Sequence, residues 1–202
     1  MVKLYVGVDE SNNGKEVAIY TAARSFLEED SRIERPLDTG KGKTYQFSKA
    51  RSEEAVAKLL SQKLNIKYSY TLTPKIFRKI YPEKGFGLIV TSLLKGVVLP
   101  EIDELQLLMD GTLAKKQTHY ARDLLAEVLG LDKEGVTIYG EEDLDRKCKL
   151  VNLADTKAYD LYTKPLKQIT ADSSKERAIL LERKDLELLI RRKKRTLLEG
   201  IL

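Results

Sequence analysis

Lys3-Leu4-Tyr5-Val6-Gly7-Val8-Asp9-Glu10-Ser11 is an apolar run that stops at two adjacent carboxylates, and Asn12-Asn13-Gly14 closes it. The run reads as a buried strand followed by a tight turn. Asp and Glu are poor strand formers, and two of them at the end of such a strand repel each other in a way that stability alone does not require. Either a bound cation or full solvation of the turn relieves that repulsion. Which of the two applies depends on whether the chain supplies more carboxylates in similar settings.

Two other stretches do. Glu104-Leu105-Gln106-Leu107-Leu108-Met109-Asp110-Gly111 is a second apolar strand that ends in an aspartate beside a turn glycine. Lys149 to Tyr162 has helical spacing with an apolar stripe of Val151, Ala154, Ala158 and Leu161, and Asp155 sits at the margin of that stripe near Asn152 and Tyr159. A core-facing aspartate has to find a partner or a cation. If the strands carrying Asp9 and Asp110 are neighbours, their carboxylates share one sheet edge, and a helix packed over that edge brings Asp155 to them. The acidic loop Glu141-Glu142-Asp143-Leu144-Asp145 is a second source for the last carboxylate, through Glu141, Glu142 or Asp143; Asp155 is the one favoured.

Composition narrows the chemistry. The 202 residues are 42% hydrophobic, enough for one substantial core. Cys148 and His119 are the only residues of their kinds, which removes disulfide frameworks and Cys/His zinc sites. His119 falls in the helical stretch Lys115 to Leu129 among basic neighbours, where a solvated histidine is expected. Hard oxygen ligands without His or Cys suit Mg2+ or Mn2+. Two such ions held about 3.5–4 Å apart serve phosphodiester hydrolysis. Catalytic candidates are Asp9, Glu10, Asp110 and Asp155, and metal ligands Asp9, Asp110 and Asp155.

The net charge is +5, from 36 basic and 31 acidic residues, and its distribution matters more than its sum. Lys175 to Arg195 carries the whole excess, leaving 27 basic against 27 acidic elsewhere. A concentrated positive field fits a polyanionic partner. Nucleic-acid contacts are expected at Lys49, Arg51, Lys115, Lys116, Arg191, Arg192, Lys193, Lys194 and Arg195.

The remaining elements follow in order. Glu16 to Phe26 is a second strand, antiparallel through the Asn-Gly turn. Leu27 to Lys43 is a loop, and Thr44 to Phe47 a short third strand. Ser52-Glu53-Glu54 caps a helix with Val56, Leu59, Leu60 and Leu64 on one face. Ile66 to Leu72 is a strand, Thr73-Pro74 opens a short helix, and Phe86 to Leu99 is most simply a largely buried helix, its Val and Ile content leaving a strand as the alternative. That run is too short and too interrupted to span a bilayer. Val136 to Tyr139 is a last strand, and a capping box at Ser173 and Glu176 starts a basic helix running to Glu199. The fold class is α/β with a mixed central sheet. Its body covers 1–165 and its C-terminal helix lies within 173–202, packed on the body or pairing two chains as a homodimer. The start enters a strand without a signal-type apolar core, so a cytoplasmic location is expected.

At Asp9-Glu10-Ser11, Ser48-Lys49-Ala50-Arg51-Ser52-Glu53 and Met109-Asp110-Gly111 the chain resembles the ribonuclease H-like superfamily, and type 2 ribonucleases H in particular. Their corresponding segments are Asp-Glu-Ala-Gly-Arg-Gly, Asp-Ser-Lys-Lys-Leu-Ser-Glu and a Met-Asp-Gly-like strand end. Val151-Asn152-Leu153-Ala154-Asp155 is similar to the Leu-Ala-Asp helix of uncharacterised relatives whose first strand ends Asp-Glu-Ser. The resemblance implies a ribonuclease H-like fold and two-metal cleavage of RNA in RNA/DNA hybrids. The junction-reading Gly-Arg-Gly is replaced here by Asn12-Asn13-Gly14.

Overall fold

The computed structural model describes residues 1–11, 17–61, 65–74, 78, 81–95, 101–164 and 178–180. Strand β1 (Lys3–Ser11) pairs antiparallel with β2 (Val17–Ser25), which pairs antiparallel with β5 (Lys67–Pro74). On its other side β1 pairs in parallel with β6 (Glu104–Asp110), which pairs in parallel with β7 (Val136–Glu141). A short β8 (Ala178–Leu180) adds in parallel to β5, giving the order β7-β6-β1-β2-β5-β8. The sheet is mixed and the class α/β, as expected.

Alternation along β1 assigns each face its helices. Leu4, Val6 and Val8 point into a core shared with α2 (Gly85–Lys95) and α3 (Lys115–Leu129). Tyr5 belongs to the core on the opposite face, shared with the short α4 (Leu144–Lys147) and with α5 (Lys149–Thr163). By the same period, Gly7 and Asp9 face α5. On β6, Leu105, Leu107 and Met109 go to the first core and Leu108 to the second, so Asp110 also faces the α5 side. The pairing of Val8 with Met109 places the two aspartates side by side at the carboxyl ends of parallel strands.

Helix α5 lies directly on β1. A Cβ built at Gly7 would stand 2.5 Å from the Val151 nitrogen, so the helix backbone occupies the space that any side chain would need. Thr21 of β2 donates to the Ala154 carbonyl at 2.6 Å and fixes the helix across the neighbouring strand. The stripe Val151, Ala154, Ala158 and Leu161 is buried as read from spacing. After β6, Gly111 turns the chain with φ +97°, a conformation glycine adopts without strain.

Several elements differ from the sequence reading. Thr73 and Pro74 still belong to β5, opposite Ala18 and Val17, because the β2 ladder continues past Leu72; the helix expected to open there includes Arg78, and residues 75–77 lie outside the described ones. Lys43–Thr44 (β4) pairs with Leu37–Asp38 (β3) in a small exposed hairpin away from the main sheet, so the third strand expected at Thr44 to Phe47 does not join it. The acidic run closes into α4 at Leu144, whose side chain is buried. Ala178–Leu180 are extended, so the helix expected from Ser173 to Glu199 is interrupted there by a ladder with β5. The Asn12-Asn13-Gly14 turn, the end of the helix at Leu99 and the rest of the basic C-terminal segment lie outside the described residues. Helix α1 (Glu53–Ser61) starts as read, with Ser52 Oγ accepting from the Ala55 N–H at 3.3 Å.

Gly7→Ala tests the close approach of α5. Overpacking against backbone cannot be relieved by a rotamer change, so we expect a loss of about 3 kcal/mol or more in urea unfolding. A variant as stable as the parent would show that the contact is not tight.

Candidate metal centre

The carboxyl ends of β1 and β6 open into a cleft of about 600 Å3, lined by Asp9, Glu10, Ser11, Lys49, Arg51, Arg78, Asp110, Asp155, Tyr159 and Tyr162. One carboxylate oxygen each from Asp9, Asp145 and Asp155 lie within 4.8 Å of one another, and all three residues are buried. Asp110 borders this trio from the next strand. Its Oδ1 accepts the Leu144 N–H at 2.7 Å, which ties the end of β6 to the start of α4 and sets Asp145 in place.

These charges strain one another. Burial, then the Asp155 carboxylate, hold Asp9 well above the usual carboxylate range; Asp110 and Asp145 add to the shift, and the Glu10 N–H donating to Asp9 Oδ1 at 2.6 Å opposes it. Asp110 is raised as well, first by burial and then by Asp145, against the N–H groups of Leu144 and Asp145 and the charge of Lys49.

Two cations answer part of the negative charge. The Lys49 ammonium forms an ion pair with Asp145. Arg51 Nη2 donates to Asp155 Oδ1 at 3.0 Å, with Nη1 2.9 Å from Oδ2. Burial works against both cations, but their acidic partners outweigh it and raise both pKa values. The compensation is incomplete. Asp145 is fully buried, its Oδ1 receives no hydrogen bond, and Oδ2 meets Lys49 without hydrogen-bond geometry.

The residues fit a divalent cation. All the donors are carboxylate oxygens, the set that Mg2+ and Mn2+ prefer, and the fully buried Asp145 of the group has an oxygen with no hydrogen-bond partner. Zinc has no comparable ligands, since Cys148 is buried beside Asp30 and His119 is exposed on α3.

The expected residues therefore divide. Asp9 and Asp155 meet in the cluster, with Asp110 at its side. Glu10 points to the other face of the sheet: its carboxylate pairs with Arg78 at 2.9 Å, and Tyr20, its partner across β2, bonds to both. Burial, with the Glu10 charge, pushes the Tyr20 phenol up, so it stays protonated there. Strand β1 runs on through Ser11, so Asp9 and Glu10 keep opposite directions.

Glu141 is engaged by Lys147 and Tyr139, and Asp143 accepts from Tyr45 Oη at 3.1 Å, which keeps both apart from the trio. Lys49 and Arg51 lie in the cleft. Lys115 and Lys116 are exposed at the start of α3 and do not line it; Lys116 pairs with Glu83 at 3.1 Å. Arg191, Arg192, Lys193, Lys194 and Arg195 fall outside the described residues. Asp145 is the ligand candidate that the sequence reading passed over. Its only signal was Leu144, an apolar residue in an otherwise acidic run.

No protein-family model matches the chain, and no curated protein does. Among solved structures, it is similar to RNase HII from Archaeoglobus fulgidus, determined in complex with PCNA, at 13% identity over 100% of this chain and 91% of that one, with a TM-score of 0.46. It is also similar to ribonuclease H2 from Pyrococcus horikoshii OT3, at 16% identity over 86% and 80%, with a TM-score of 0.47. The deciding observation is the topology: an antiparallel β1-β2-β5 meander extended on the β1 side by two parallel strands, with helices on both faces. The fold is α/β with a mixed central sheet. In that arrangement the carboxyl ends of β1 and β6, with the helix crossing β1, form the acidic cleft.

Linkage gives this cluster a pH signature. Folded Asp9 and Asp110 titrate above the ordinary value of 3.8, so across that window the folded chain binds more protons than the unfolded one, and stability falls as pH rises. In EDTA, the contribution of these residues should lower Tm as pH rises above the ordinary carboxylate value of 3.8. Asp9→Asn should flatten that fall and raise Tm at neutral pH, as expected where a site is strained for function. An Asp9→Asn protein that melts below the parent at neutral pH in EDTA would contradict the strain.

Proposed function

We propose that the chain is a Mg2+- or Mn2+-dependent nuclease that hydrolyses phosphodiester bonds, with RNA or an RNA/DNA hybrid as substrate. The observation that carries this reading is the buried oxygen trio of Asp9, Asp145 and Asp155 beside Asp110, at a cleft that Asp9, Asp110 and Asp155 line together with Lys49, Arg51 and Arg78. Asp9, Asp110, Asp145 and Asp155 would hold the ions, whose chemistry is to activate a water and stabilise the leaving oxygen. Asp110 and Asp155 fix the approach, since one is tied to the Leu144 N–H and the other to Arg51. Arg78, Lys49 and Arg51, which line the cleft, would supply positive charge for a backbone there. The two solved structures similar in fold bear the names RNase HII and ribonuclease H2, which agrees with the choice of substrate to try first. The basic run Arg191 to Arg195 would add non-specific affinity. A cytoplasmic location and pairing through the C-terminal segment belong to the same proposal.

A second reading has its own observation. Lys49 and Arg51 already neutralise Asp145 and Asp155, so the protein could bind nucleic acid without turnover. Cleavage assays decide. On the nuclease reading, labelled hybrid, RNA and duplex DNA substrates include one that is cut with Mg2+ or Mn2+ and spared in EDTA. Asp145→Asn and Asp110→Asn should each lower the rate about a hundredfold or more, the scale of losing a group that serves the metal. Salt-dependent binding with no cleavage of any substrate would sink the enzyme and leave the binding protein.

A further inference from the structure

We infer that the segment 45–52 is a counter-ion strap that couples cation binding to nucleic-acid binding: Lys49 and Arg51 neutralise Asp145 and Asp155 until a divalent cation takes their place and the nucleic-acid backbone receives them. The inference rests on the proposed acidic site and adds a linkage that the site alone does not imply.

The strap's backbone is held at several points. Tyr45 Oη donates to Asp143 at 3.1 Å, and the Phe47 N–H donates to the Arg146 carbonyl at 3.1 Å. Asn152 Nδ2 donates to the Ser48 carbonyl at 3.1 Å, and Tyr159 Oη donates to the Arg51 carbonyl at 3.1 Å. Ala50 is buried. The side chains of Lys49 and Arg51 are 33% and 40% exposed; besides Asp155, the Arg51 guanidinium donates to the Ala50 carbonyl at 3.0 Å and lies 4.8 Å above the Tyr159 ring. A second cleft of about 480 Å3 is lined by Phe47, Lys58, Leu59 and Asn152 together with Lys49 and Arg51. Both cations therefore border two clefts, one acidic and one not. Passing from one to the other takes side-chain rotation, without movement of the strap.

Charge decides which position is occupied. When ionised, the four carboxylates of Asp9, Asp110, Asp145 and Asp155 against Lys49 and Arg51 leave a formal charge matched by one divalent ion. With both cations withdrawn, the same carboxylates match two. A cation that enters competes for the oxygens that Lys49 and Arg51 occupy. It releases an ammonium and a guanidinium on the wall of the second cleft, where phosphate oxygens can accept them and Phe47 offers a surface for a base. Coupling of this kind is reciprocal: each ligand tightens the other by the same factor.

The test uses the full chain. Mn2+ alone is titrated calorimetrically into the parent and into the Lys49→Gln/Arg51→Gln variant, with and without a hybrid whose RNA strand is 2′-O-methylated. Removing the competing cations should tighten Mn2+ binding about tenfold and weaken hybrid binding, and the hybrid should tighten Mn2+ for the parent but not for the variant. Ordinary structural ion pairs would give the opposite: equal or weaker Mn2+ binding in a variant that still folds, which overturns the strap. If the double variant does not fold, the parent alone decides, because Mn2+ affinity indifferent to hybrid excludes the coupling and affinity that rises with it supports it. Equal Mn2+ binding by parent and variant, together with cleavage, removes the strap and leaves the nuclease. No Mn2+ binding by either removes both, and binding by the variant alone keeps the strap and removes the nuclease reading of the parent.

Discussion

The contact between the backbone of α5 and strand β1 at Gly7 governs the placement of nearly every group in the cleft. A helix seated that close to a strand brings Asp155 over Asp9 with no long side chain between them. It also puts α4, which leads into α5, against the end of β6, where Leu144 meets Asp110 and Asp145 follows. Three side chains from separated parts of the sequence converge because one residue has no Cβ.

What converges is electrostatically unfavourable. Buried carboxylates raise one another's pKa, and a core made only for stability would replace them with apolar residues. The chain instead offsets part of the repulsion with Lys49 and Arg51 from a single strap and leaves one oxygen of Asp145 unpaired. The opposite face of β1 is handled differently. There Glu10, Arg78 and Tyr20 form a closed set in which the charge of one member answers the other and the phenol bonds to both. Neighbouring residues of one strand thus have opposite fates, one strained and one satisfied, because their side chains leave the strand in opposite directions.

Much of this was legible before the structure. Period-two runs ending in Asp9 and Asp110, the stripe of α5 and the capping serine of α1 are local signals, and local physics settled them. The parallel pairing of β1 with β6 was only a condition in the sequence reading, because pairing between distant strands leaves no mark in either one. Asp145 was missed for a related reason. An acidic run reads as solvated, and only the tertiary burial of Leu144 turns the next residue inward. Pro74 stays in its strand ahead of the helical Arg78 because its pairing partner lies on β2, more than fifty residues away in the chain. At Ala178–Leu180 the capping and charge pattern favoured helix, and the open ladder of β5 overrode it.

That last pairing has a consequence for how the chain is made. Until residue 180 exists, the outer row of β5 hydrogen-bonding groups at Tyr70 to Leu72 has no partner strand on that side, although the rest of the meander is already synthesised. A strand from the last part of the chain thus closes an edge created in its first half. The separation of more than a hundred residues makes this one of the slowest contacts to form. During that interval the emerging protein presents an unprotected β-edge, the kind of surface on which nascent chains join to one another. The strand that interrupts the expected helix therefore also sets when this row of β5 is covered, after which β7 and β8 are the outer strands of the sheet.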